Sequence, residues 1–193
     1  MPGFRLVGYR FGASGNGNGI VYAVPADVTA MLPEASLTDP DSLWFPPVPE
    51  GSLPTVMGAV AGDGSPASYL EASILAREFA EFGARWHGCS WVTHTVLDAD
   101  PFQIASESRH SIAANGFPNM TKDTALWVWK TKRPEAWAPS VEFSEDPVVV
   151  TFHTFSALEG ERLIRVRDKY QGGSYKATTS TRVLAAGPGG FVF

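Results

Sequence analysis

Two short apolar and aromatic runs, Phe4 to Phe11 and Gly19 to Val24, flank the glycine-rich segment Gly12 to Asn18. Strand-like runs joined by such a tip predict a β-hairpin. Pro25 to Leu32 then reads as a short helix, with Pro25 in its first turn and Pro33 ending it. From Glu34 to Gly64 neither helical nor strand periodicity persists. Pro40, Pro46, Pro47, Pro49 and Pro54 surround an apolar Leu43-Trp44-Phe45, and a stretch this long without a period is expected to be an ordered loop or an exchanged arm.

Pro66 to His87 carries the clearest helical pattern. Ser65 is placed to cap it, Pro66 takes the first helical position, Ser68-x-x-Glu71 offers a second capping box, and Gly88 supplies a stop. Leu75, Phe79, Phe82 and Trp86 form the expected buried stripe, with Arg77, Glu78, Glu81 and Arg85 on the wet side. Five β-branched and aromatic runs follow: Cys89 to Leu97, Thr124 to Lys130, Val148 to Phe155, Arg162 to Tyr170 and Tyr175 to Leu184. The last three succeed one another at turn spacing, which predicts an antiparallel meander. Pro101 to Ala114 reads as a further helix capped by Asp100 and stopped at Asn115-Gly116. The resulting fold class is α+β: an antiparallel sheet, made of the N-terminal hairpin and the C-terminal meander, packed against one long amphipathic helix. A single domain over residues 1–193 accommodates it, with the proline-rich arm at 34–64 and an apolar tail at 187–193.

Composition narrows the function. Charged residues are 18% of the chain, below the roughly 25% of an average soluble domain. The net charge is −5, which opposes a surface that binds phosphate everywhere. The cations are unevenly placed, however: residues 1–96 hold four basic and nine acidic side chains, and residues 97–193 hold eleven of each. One cysteine, Cys89, excludes an internal disulfide and a cysteine-rich zinc site. No stretch of about 18 apolar residues appears and the first residues lack a signal-like apolar core, so the expectation is a soluble cytoplasmic or virion protein with no membrane partner.

Several chemistries fail on spacing. Gly12 to Gly19 has no Gly-Lys-Ser/Thr ending and runs into a strand, so it is not a P-loop, and Asn16 stands where a nucleophile elbow needs glycine. His94 and His153 occupy similar strand contexts, but the position two residues after each, on the same strand face, is Val96 or Phe155 and not a hydroxyl. That removes 2H phosphoesterase chemistry. His94, His153, His110, Asp98 and Asp100 show no metal-ligand spacing, and no metal or cofactor is expected. His94 and His153 stay as weak acid/base candidates, each more simply a histidine at the core edge.

The least ordinary feature is basic. Strand alternation places Arg165, Arg167 and Lys169 on one face of Arg162 to Tyr170, about 6.7 Å apart along the strand. Lys176, Thr178, Ser180 and Arg182 extend this ridge if the next strand pairs, whereas Glu159, Glu161 and Asp168 are near enough in sequence to neutralise it. Trp127 and Trp129 also share a face and precede Lys130, an aromatic and basic combination suited to single-stranded nucleic acid or as a core tryptophan pair. The leading expectation is a non-enzymatic binding or assembly subunit of a multi-copy complex, such as a phage or virion component. It would self-associate or dock a protein through Trp44, Phe45, Phe191 and Phe193. The alternative is a polyanion or nucleic-acid-acting protein using Arg165, Arg167 and Lys169, with His94 or His153 as acid or base.

Overall fold

The computed structural model describes residues 3–11, 18–28, 48–84, 90–103, 120–144 and 146–192. Two antiparallel sheets and one α-helix are found among them, giving the α+β class expected from the order of elements. Among the described residues no helix is long and apolar enough to cross a membrane. The chain divides into two compact units. The first comprises residues 1–89 and 170–177, the second residues 90–169 and 178–193.

In the first unit, strands β1 (Phe4–Phe11) and β2 (Asn18–Pro25) form the predicted hairpin, with Phe4 opposite Pro25 and Tyr9 opposite Ile20. Gly8 and Gly19 lie on one face of it. A Cβ on Gly19 would sit 2.4 Å from the Phe82 carbonyl oxygen, and one on Gly8 3.0 Å from the Phe82 ring. Glycine inside these strands therefore lets the chain around Phe82 lie flush on the sheet. Of the predicted short helix from Pro25 to Leu32, the described half is not helical, since Pro25 ends β2 and Ala26 and Asp27 form a turn; residues 29–32 lie outside the described set, as do residues 34–47 of the arm. The rest of that stretch includes a 3₁₀ turn at Val56–Ala59, capped by the Thr55 hydroxyl.

Helix α1 spans Pro66–Ala80, capped by Ser65, whose Oγ accepts from the Ser68 N–H at 3.2 Å. It is shorter than the predicted span to His87: Glu81 leaves helical geometry and Gly83 takes φ +71. The second capping box does not form, because the Ser68 hydroxyl donates back to the Ser65 carbonyl and meets the Tyr175 hydroxyl at 2.8 Å. The buried side is also not the predicted stripe of large residues. Tyr69, Ala72 and Ser73 are buried, while Leu75 and Phe79 are only half-buried and Phe82 lies past the helix end. The reason is the partner. Tyr170 and Tyr175 bring their rings to 5.1 and 4.8 Å of Tyr69, and the Ser73 hydroxyl meets that of Tyr170 at 2.7 Å. Aromatic rings this close need small residues beside them on the helix.

The second unit is built on a six-stranded sheet ordered β3 (Thr95–Leu97), β6 (Val148–Ser156), β7 (Arg162–Tyr170), β8 (Ala177–Ala186) and β4 (Val128–Trp129), with β5 (Ser140–Glu142) also on β6. The meander β6-β7-β8 is as predicted. The two earlier strands shrink: Trp91–Thr93 and Thr124–Leu126 are 3₁₀ turns. A short β3 suffices because it shares one edge of β6 with β5, β5 at Val149–Thr151 and β3 at His153–Phe155. Both faces of β6 are largely buried, which accounts for its nearly unbroken apolar sequence. Leu97, Phe155, Leu163 and Leu184 form one core with Met120, Trp127 and Trp137. The predicted helix from Pro101 lies outside the described residues beyond its first turn, in which Asp100 Oδ1 accepts from the Phe102 N–H.

The C-terminal segment closes this core. Phe191 packs against it and pairs in parallel with Leu158, its N–H donating to the Ala157 carbonyl. The run Gly187 to Gly190, which opens the apolar tail, is packed. A Cβ on Gly187 would meet Glu161 Oε2 at 2.6 Å, and Gly190, at φ +134, has no room for one against Gly160.

Candidate functional site

Strand β7 alternates as predicted, and hydrogen bonds fix which β8 residues join each face. Asp168 is fully buried, and its Oδ1 accepts from the Thr179 hydroxyl at 2.6 Å, so these two share a face. Alternation then puts Thr178, Ser180, Arg182 and Leu184 on the opposite face, with Leu163, Arg165, Arg167 and Lys169. The common core of Leu163 and Leu184 agrees. The Ser180 hydroxyl, donating to the Arg167 carbonyl, sets Ser180 beside Arg167, and two residues further along each antiparallel strand Arg182 comes beside Arg165. His153 lies on this face as well, since it opposes Leu97 and alternates with Phe155 of the same core.

The resulting face runs from an apolar end at Leu163 and Leu184 to a cationic end bearing Arg165, Arg167, Lys169 and Arg182. Arg165 and Arg167 are half-buried, and Lys169 and Arg182 are exposed. Among the described residues none of the four makes an ion pair or a side-chain hydrogen bond. The acids expected to neutralise them are engaged elsewhere. Glu159 lies 3.7 Å from Arg162, Asp168 is on the other face, and Glu161 is buried, accepting from Thr121 N–H at 2.5 Å and Gly189 N–H at 3.1 Å. Lys176 sits in the turn before β8, where its N–H bonds Ser174.

His153 is 6% exposed and its Nδ1 lies 3.1 Å from the Trp137 carbonyl, which only accepts, so Nδ1 carries the proton and Nε2, without a partner among the described residues, is the acceptor nitrogen. Burial holds its pKa below the ordinary 6.5, and the Arg165 charge lowers it further, against an upward pull from the Trp137 carbonyl. The imidazole is therefore neutral at pH 7. His94 is elsewhere: its Nδ1 is 3.0 Å from Thr154 Oγ1, and Trp91 stacks on its ring at 5.4 Å. Thr154 and His153 are adjacent in β6 and point to opposite faces, so the two histidines do not share a site. No three His, Cys, Asp or Glu side chains gather as a metal-ligand set among the described residues, a set that does not include His110 or Cys89.

The aromatic half of the candidate is not a stacking platform. Trp127 is buried, with its indole N–H on the Thr121 carbonyl at 3.0 Å, and Trp129 packs against the same core. The Arg133 guanidinium lies over Phe102 and Trp129 while both its bonds go to Asp100 at 2.7 and 2.6 Å. Lys130 joins the sheet through its backbone, donating to the Leu184 carbonyl, and exposes its side chain. Of the expected interface residues, Phe191 packs on its own unit, and Trp44, Phe45 and Phe193 lie outside the described residues. The neighbourhood of Arg182 and His153 follows from strand pairing, and the meander spacing was the only sequence signal for it. The role of Glu161 had no signal at all, because its partners are backbone groups 28 and 40 residues away. No family model, curated protein or solved structure matches this chain.

Proposed function

We propose that this protein is a non-enzymatic binding subunit that holds a phosphate-backbone polyanion, with single-stranded nucleic acid as the model ligand, on the cationic face of its larger sheet. The observation carrying the reading is that Arg165, Arg167, Lys169 and Arg182 stand together without an ion pair among the described residues. Arginines left without carboxylate partners keep their donors available to phosphate oxygens. Binding is electrostatic and insensitive to base identity, since Trp127 is buried in the core and Trp129 packs half-buried against it with Arg133 over its ring. His153 lies buried at the edge of the face, and no chemical step is assigned to it.

The test is a salt titration of binding to a fluorescent homopolymeric RNA. Four engaged cations predict a slope of log K against log salt of about −2.8, and the double variant Arg165→Ala, Arg167→Ala about −1.4. Binding with an unchanged slope in the double variant, or no binding at low salt, rejects the proposal.

A second reading, assembly by strand addition, is favoured by the outer edge of β8. Strand β4 covers only Ala185 and Ala186, while Thr178 to Arg182 are all exposed. The Leu184 carbonyl accepts from Lys130 on the β4 side, so by alternation the Ser180 N–H also faces outward. Outward N–H and C=O groups along such an edge are a template for another strand. A sedimentation series finding only monomer at high concentration counts against this reading, as does association that Ser180→Pro, which deletes an edge donor, leaves unchanged.

A further inference from the structure

The first unit contains a cleft of about 620 Å³ that the cationic face does not involve. One wall is helix α1. Glu71 and Glu78 are seven residues apart, and Ile74 and Leu75 fall between them on the same side, so the helix presents a carboxylate, an aliphatic pair and a second carboxylate in one row. Two helical turns separate the carboxylate-bearing positions by about 10.5 Å along the axis. Leu70 and Val60 add apolar surface, and no Lys, Arg or His lines the cleft among the described residues. The end near Ser68 is rigid: the Tyr175 hydroxyl meets Ser68 Oγ at 2.8 Å and accepts from the Gly64 N–H at 2.9 Å. Gly62 is fitted against the same tyrosine, since a Cβ there would lie 2.4 Å from its hydroxyl oxygen.

We infer that this cleft binds an apolar organic cation, a hydrophobic amine whose alkyl or aryl body lies on Leu70, Ile74 and Leu75 and whose ammonium is held at Glu71. The volume matches a small-molecule site, which usually combines mostly apolar walls with a few polar groups that set orientation. The sign of the ligand follows from Glu71, whose carboxylate borders a lining that holds no cation among the described residues. An anion of the same shape would meet Glu71 as a like charge, and a neutral molecule would gain only the apolar contact. Glu71 is exposed and makes no side-chain hydrogen bond or ion pair among the described residues, so it is available to an incoming ammonium without breaking an existing pair.

Titration calorimetry of the full chain with octylamine, octanol and octanoate tests this. Octylamine is expected to bind saturably, octanol at least about five-fold more weakly and octanoate not measurably, at a gap of about 1 kcal/mol or more for the ammonium contact. Glu71→Gln, an exposed change that leaves the helix intact, should bring octylamine down to the octanol affinity. Leu75→Arg, which places a cation in the cleft, should abolish octylamine binding and admit octanoate. Absence of saturable octylamine binding, equal binding of all three ligands, or no effect of Glu71→Gln overturns the inference.

Discussion

Asp168 and Thr179 face each other across β7 and β8, joined by a 2.6 Å hydrogen bond on the side of the sheet away from Arg165 and Arg167. The carboxylate closest in sequence to these arginines is thereby held where it cannot neutralise them. Asp168→Ala is expected to destabilise the fold by about 2 kcal/mol, because it removes the charge-assisted bond from the Thr179 hydroxyl and empties a fully buried position. It should leave the salt slope of polyanion binding unchanged. Urea denaturation and the RNA salt titration, run on the same variant, separate the two effects; a changed slope contradicts the assigned faces.

Glu161 ties three stretches of the second unit together through its carboxylate and its backbone, which bonds Gly189 and Gly187. Glu161→Ala leaves the Thr121 and Gly189 N–H groups without an acceptor and should cost about 3 kcal/mol, at the rate of roughly 1.5 for each bond to a charged group. The Phe191 amide, bonded to Ala157, should lose hydrogen-exchange protection ahead of the β6 amides. Equal protection of both in the variant would show that the tail is held by Phe191 packing alone.

His153 makes stability depend on pH in a definite direction. Its folded pKa lies below 6.5, so between the folded value and 6.5 the unfolded chain binds more protons. The stability it contributes is present above 6.5 and is lost as pH falls towards the folded pKa. His153→Asn, which retains a donor for the Trp137 carbonyl, should flatten that part of the profile. An unaltered pH profile in chemical denaturation would mean that another group is responsible.

How much was legible in the sequence depended on the range of the interaction. The hairpin, the start of α1 at Ser65 and the meander were readable because turn glycines, a capping serine and strand alternation act within a few residues. Helix α1 shows where that reading stops. Its spacing pointed to Leu75, Phe79, Phe82 and Trp86 as the buried side, yet Tyr69, Ala72 and Ser73 are buried, because Tyr170 and Tyr175 come from about a hundred residues away and require small neighbours.

The candidate site divides in the same way. By itself the sequence determined that Arg165, Arg167 and Lys169 share a face, since a strand has a period of two whatever it packs against. Only the tertiary structure decided whether that face is neutralised. Asp168 is turned away by alternation, but the capture of Glu161 by Thr121 and Gly189, the arrival of Arg182 beside Arg165, and the packing of Trp127 in the core and of Trp129 against it all depend on partners distant in sequence. Local pattern sets the direction of a side chain, and the groups waiting in that direction are set by the fold.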